Sequence, residues 1–235
     1  MKRKKRLIKL IFIVFISIII FIIYNKTNHH NINYTVIGDS LSLGVNSYGI
    51  VEYGYSDYIK DYLKEKNKLK LYNKENTSKT ATITSIYNDI ITNKNEIKIL
   101  IRDSDIITMT IGLNDLLYRI TIEDNIDNKL LDEIYKEIEI NYNNLIKEII
   151  KYNPKKIYII GYYTTNIKNK YETEKINRLN NILKNNNNVI YINTSIISKN
   201  STKYLSNNNS YYPNHLGYKE ISKKIIEKLD KKLEN

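Results

Sequence analysis

From Tyr34 onward two kinds of apolar pattern alternate along the chain. Short runs of β-branched and aromatic residues predict strands at Tyr34–Ile37, Leu69–Tyr72, Ile106–Ile111, Lys156–Ile160 and Val189–Ile192. Between and after them, apolar positions recur every three or four residues. These predict helices at Ser56–Lys66, Ala81–Asn93, Asp127–Tyr152, Lys170–Lys184 and Leu216–Leu233. The longest carries Leu130, Ile134, Ile138, Tyr142, Leu145, Ile146 and Ile149 on one stripe, with Pro154 just beyond its end. The last carries Ile221, Ile225, Leu229 and Leu233. Ser56 is a candidate N-cap for the first.

Strands that alternate with helices predict βαβ units and a parallel sheet. The near-continuous apolar runs in strands three to five suit a sheet covered on both faces. The expected fold is therefore α/β, a flavodoxin-like five-stranded parallel sheet in the order 2-1-3-4-5. Such a sheet places a binding site outside the carboxyl ends of strands one and three, where the strand order reverses. The asparagine runs 185–188 and 207–209 read as polar loops.

The first 33 residues follow a different pattern. Residues 1–9 form a basic tail holding Lys2, Arg3, Lys4, Lys5, Arg6 and Lys9. Residues 7–24 form an apolar segment that, as a helix rising ~1.5 Å per residue, matches the thickness of a bilayer. No small-residue cleavage site follows it, so an uncleaved signal anchor is expected rather than a removed signal peptide. The positive-inside rule leaves Met1 in the cytoplasm and exports the rest to the outer face of the cell membrane. Residues 25–33 read as a polar linker, in which His29 and His30 are solvated rather than metal-bound. The globular domain then runs over residues 34–235.

Charge and composition narrow the chemistry. The 235-residue chain carries a formal +12, and half of it lies in the basic tail. The remaining lysines are scattered among Asn, Ile and Tyr, and no nucleic-acid-binding signature accompanies them, so no nucleic-acid partner is expected. Cysteine is absent, which excludes disulfides, thiol catalysis and cysteine-ligated metals. Beyond His29 and His30 the chain has a single histidine, His215.

Strand one ends in Gly38-Asp39-Ser40-Leu41, and strand three in Gly112-Leu113-Asn114-Asp115. On the expected sheet order these loops are neighbours. A serine hydroxyl can attack a carbonyl, and an asparagine amide can stabilise the oxygen that becomes negative. Either motif alone is also ordinary turn chemistry; together at these two positions they are far more specific. With these two blocks the chain from about Tyr34 to Leu233 resembles the GDSL/SGNH hydrolase family. The resemblance implies a three-layer α/β/α sandwich and hydrolysis of acyl esters or thioesters without metal or organic cofactor. It implies Ser40 as nucleophile and Asn114, with the Ser40 backbone N–H, as oxyanion donors. Acylated small molecules, glycans or lipids are the implied substrates.

Two blocks depart from the family pattern. Lys79 stands where a glycine usually supplies a further oxyanion N–H, and a positive φ there would disfavour lysine. The last block, Asn209-Ser210-Tyr211-Tyr212-Pro213-Asn214-His215-Leu216-Gly217-Tyr218, aligns Tyr212 with the family's histidine and Asn209 with its aspartate. A neutral tyrosine is a poor proton acceptor at neutral pH. His215 lies three residues on, nearly one helical turn away. Three readings stand: His215 serves as a displaced base, the enzyme works slowly without a proper base, or the site binds acylated ligands without turnover.

Overall fold

The computed structural model describes residues 9, 12–19, 31–92, 95–122, 127–152, 154–165, 169–206 and 211–233. Five strands form one parallel sheet in the order β2-β1-β3-β4-β5. They are β1 (Ile32–Gly38), β2 (Leu69–Thr77), β3 (Ile106–Thr110), β4 (Ile157–Ile160) and β5 (Ile190–Ile192). The order is the one expected from the alternating pattern. β1 begins two residues earlier than that pattern suggested, so Ile32 and Asn33 belong to the sheet and not to a linker. The Ile32 N–H donates to Lys68 O (2.6 Å) and its side chain is buried. β2 runs five residues further, through the polar stretch Asn73–Thr77. It is the edge strand and stays half exposed, so it needs no apolar run.

Alternation along the strands sends side chains into two cores. Ile37, Ile107, Met109 and Ile159 face the helices Ile83–Ile91, Asn128–Ile150 and Lys170–Lys184. Tyr34, Val36, Ile106, Tyr158 and Ile160 face Tyr55–Glu65 and His215–Leu233. These two helical layers complete the sandwich. The helix expected at Ser56 starts at Tyr55. Gly54 is its cap, and the Gly54 N–H donates to Asp57 Oδ2 (3.0 Å). Helices at Asn95–Asp103 and Leu113–Ile122 have no counterpart in the sequence reading. Nor do the short ones at Ser40–Leu43, Ser195–Lys199 and Ser201–Tyr204.

Half of the expected membrane span, 7–24, falls outside the described residues, as do the basic tail apart from Lys9 and linker residues 25–30 with His29 and His30. Residues 12–19 are helical, with Phe12, Ile13, Val14, Phe15, Ile16, Ile18 and Ile19 exposed. Among the described residues no helix is long and apolar enough to cross a membrane.

Register brings the three candidate loops to one edge. Gly38 pairs with Thr77 on one side and Thr110 on the other. The Asp39 N–H donates to Thr110 O (3.0 Å), and the Ser78 N–H donates to Gly38 O (2.9 Å). Gly38 has φ +127°, and a Cβ there would lie 2.1 Å from Thr110 O. Gly38→Ala should therefore cost about 3 kcal/mol or more of stability, since strained backbone and a backbone clash add. Urea denaturation would show the loss.

Candidate active site

Asp39 follows β1 and caps the four-residue helix Ser40–Leu43, its Oδ1 accepting from the Leu41 N–H at 3.0 Å. Ser40 is the first helical residue, so its own N–H is one of the donors that a helix leaves without an internal acceptor. Among the described residues the Ser40 hydroxyl makes no hydrogen bond. Ser42, two residues on, points the other way. Its hydroxyl meets Ile37 O (3.1 Å), Thr110 Oγ1 (2.8 Å) and Tyr55 OH (2.9 Å), pinning the turn against β3.

Asn114 sits in the first turn of Leu113–Ile122. Its amide donates to Ala81 O (2.9 Å) and Lys79 O (3.1 Å). The same bonds fix the turn after β2. Lys79 does not adopt the positive φ expected of a glycine site: Asn67 is the one non-glycine residue with positive φ among those described. Its ammonium donates to Gly49 O (2.6 Å). Asp115 turns away and accepts from the Ile83 N–H (3.0 and 3.1 Å), capping Ile83–Ile91.

Burial pushes the Asp115 carboxyl up to about 6, against the Ile83 N–H that favours its charge. A carboxyl raised on folding stabilises the fold at low pH. That stability is lost as pH rises from about 4 through 6, and the span amounts to roughly 3 kcal/mol. Asp115→Asn keeps a capping oxygen and removes the charge. It should flatten the pH dependence of Tm over that window, with Tm above wild type at pH 7. Thermal melts from pH 4 to 8 would test this.

Ser40 and Asn114 line one pocket of about 130 Å³, together with Asp39, Leu41, Leu113, Leu117, Tyr162, Tyr163, Tyr211 and Tyr212. Larger clefts, of about 430 Å³ beside Tyr58 and Tyr204 and about 320 Å³ beside Asp115 and Arg119, hold neither Ser40 nor Asn114. Tyr212 thus stands in the pocket, as its alignment with the family's histidine implies. His215 does not line it. It is the exposed first residue of the last helix, where its carbonyl accepts from Tyr58 OH (3.4 Å). Asn209 lies outside the described residues. The block around His215 has a clear structural role: the Asn214 side chain accepts from the Gly217 N–H (3.0 Å), and Tyr218 OH donates to Val45 O (2.6 Å).

The family's pattern covers this arrangement from end to end: GDSL-like Lipase/Acylhydrolase matches residues 34–225. The chain belongs to this family of ester hydrolases. Solved structures agree in fold. A lipase from a goat rumen metagenome superposes with TM-score 0.71 at 22% identity, over 84% of this chain and 97% of that one. A catalytic mutant of an acetylxylan esterase from Geobacillus stearothermophilus superposes with TM-score 0.62 at 16% identity, over 84% and 94%. No curated protein matches the sequence significantly.

The sequence reading of this GDSL hydrolase missed Asp39, Tyr162, Tyr163 and Tyr211 as pocket residues. Tyr162 and Tyr163 follow Gly161 at the carboxyl end of β4, the edge where such sheets hold ligands. That position was the available signal. Tyr162 OH donates to Asp39 Oδ2, and Tyr163 OH donates to Tyr211 O (2.8 Å). Burial pushes both phenols well above their ordinary range, and the nearby Asp39 charge adds to it.

Proposed function

We propose that the protein is a membrane-anchored serine esterase that removes short acyl groups, acetyl by preference, from envelope glycans outside the cell. Ser40 attacks the ester carbonyl. The Asn114 amide and the backbone N–H groups of Ser40 and Lys79 hold the oxyanion. For this the amide shares or releases its longer bond, the one to Lys79 O (3.1 Å).

The observation that carries this reading is one pocket shared by Ser40 and Asn114. Its size supports a small acyl group. A volume of about 130 Å³ is well below the ~300 Å³ at which drug-sized ligand sites begin. The likeness to an acetylxylan esterase points the same way. Orientation supports a glycan over a bilayer lipid. The chain enters the domain at Ile32, and the pocket lies past Gly38, seven strand residues or ~20 Å away. An anchor joined at Ile32 by a short linker would turn the pocket away from the bilayer.

A second reading, a binding protein with impaired catalysis, is favoured by Tyr212 standing where a histidine is expected. Hydrolysis of p-nitrophenyl esters by the full chain in detergent separates the two. Measurable turnover is expected, with kcat/KM at least tenfold higher for acetate than for octanoate. Preference for octanoate would end the short-acyl reading, and no turnover would favour the binding protein.

A further inference from the structure

Attack by Ser40 needs a proton acceptor, and among the described residues no histidine lines the pocket. Its tyrosines are neutral phenols that offer a proton before they can take one. One group among the lining residues is a carboxylate, that of Asp39, next to Ser40 in the chain. We propose that Ser40 gives its proton to Tyr162 while Tyr162 gives its own to Asp39, so that this pair takes the place of the missing histidine. The inference rests on Ser40 being the nucleophile; it is independent of location and substrate.

The second half of this path is already hydrogen-bonded, and Ser40 and Tyr162 line the same pocket. Asp39 is 2% exposed, and Tyr162 is 5% exposed. The Tyr162 hydroxyl already donates to Asp39 Oδ2, while Oδ1 is held by Thr110 Oγ1 (2.5 Å) and the Leu41 N–H (3.0 Å). Tyr162 is itself fixed: its N–H donates to Asn180 Oδ1 (2.8 Å), and its carbonyl accepts from Asn180 Nδ2 (2.8 Å). Burial raises the proton affinity of Asp39, against the hydrogen bonds from Thr110 and Tyr162. A base is thereby strengthened without being exposed to water.

The step balances. The Ser40 Oγ–carbon bond forms and the Oγ–H bond breaks. That proton reaches the Tyr162 oxygen as the Tyr162 proton reaches Asp39, and the carbonyl π pair moves onto the oxyanion. On collapse the alkoxide leaves and takes a proton back along the same path. Water repeats the cycle on the acyl-enzyme.

The groups facing Asp39 are Tyr55 from Tyr55–Glu65, Asp115 from Leu113–Ile122, Tyr162 and Tyr163 after β4, and Tyr218 from the last helix. Burial raises all four phenols, so Asp115 is the one other carboxyl among these neighbours. The experiment measures kcat and KM for p-nitrophenyl acetate from pH 4 to 9 in wild type, Tyr162→Phe, Asp39→Asn and Asp115→Asn, with Tm for each. Tyr162→Phe should lower kcat at least a hundredfold with KM little changed and the domain still folded at a lower Tm, and its residual rate should rise in proportion to hydroxide. Asp39→Asn should lose the acidic limb of the profile, and Asp115→Asn should retain it. Wild-type kcat in Tyr162→Phe, or a hundredfold loss in His215→Ala, would overturn the inference alone. A wild type without turnover or labelling by a fluorophosphonate would overturn the esterase reading and this inference with it.

Discussion

Ser40→Ala is expected to lower hydrolysis of p-nitrophenyl acetate by roughly a thousandfold or more and to abolish labelling by a fluorophosphonate. The loss should be chemical, not structural. Ser40 is the first residue of a four-residue helix and, among the described residues, its hydroxyl has no partner to lose. The turn is held instead by Asp39, which caps the helix, and by Ser42, which ties it to Ile37 and Thr110. Stability should therefore change by no more than about 0.5 kcal/mol, the usual range for a substitution away from packed or bonded features. Ser42→Ala is the opposite case. It removes four buried hydroxyl contacts, to Ile37 O, Tyr55 OH, Thr110 Oγ1 and the Thr110 N–H, and should cost stability through those lost bonds, leaving Ser40 in place. Equal rates in wild type and Ser40→Ala would end the esterase reading.

Much of this arrangement was legible in the sequence because strand and helix periods differ. The runs at 106–111 and 157–160 hold only apolar residues and threonine, and a strand covered on both faces needs that. Sheet order then followed from alternation, and sheet order put Ser40 beside Asn114. What stayed hidden has physical reasons. In the helix Asn95–Asp103, Ile97, Ile99 and Ile101 recur at a spacing of two that imitates a strand, while Ile97 and Ile101 alone of the three are buried. The strand segment Asn73–Thr77 has no apolar signal because one side of an edge strand faces solvent. The bond between Tyr162 and Asp39 joins residues 123 positions apart, and no local pattern reports such a contact. His215 was legible as a histidine near a family block. Its placement at the start of a helix follows from Asn214 capping that helix and turning the ring outward from the pocket's lining.

Tyr212→His combined with Asn209→Asp should raise kcat/KM by about a hundredfold, within the ~10²–10⁴ that a positioned general base contributes. Tyr212 lines the pocket with Ser40, so an imidazole there meets the hydroxyl that needs an acceptor. Imidazole is mostly neutral and basic at pH 7, whereas a phenol must lose a proton with a pKa near ~10 before it can accept one. The carboxylate would fix the ring's tautomer and stabilise its charged form. The pH profile should then show a limb near ~6.5, the ordinary range of histidine. A folded double variant with wild-type turnover would mean that Tyr212 does not occupy the base position. Adding Tyr162→Phe to that double variant sharpens the result. If the proton normally leaves through Tyr162, a new acceptor at position 212 makes that path dispensable. The phenylalanine should then cost at least tenfold less than it does in the wild-type background. Equal losses in both backgrounds would assign Tyr162 to packing or to the oxyanion side of the pocket, since a route for the proton is needed only once.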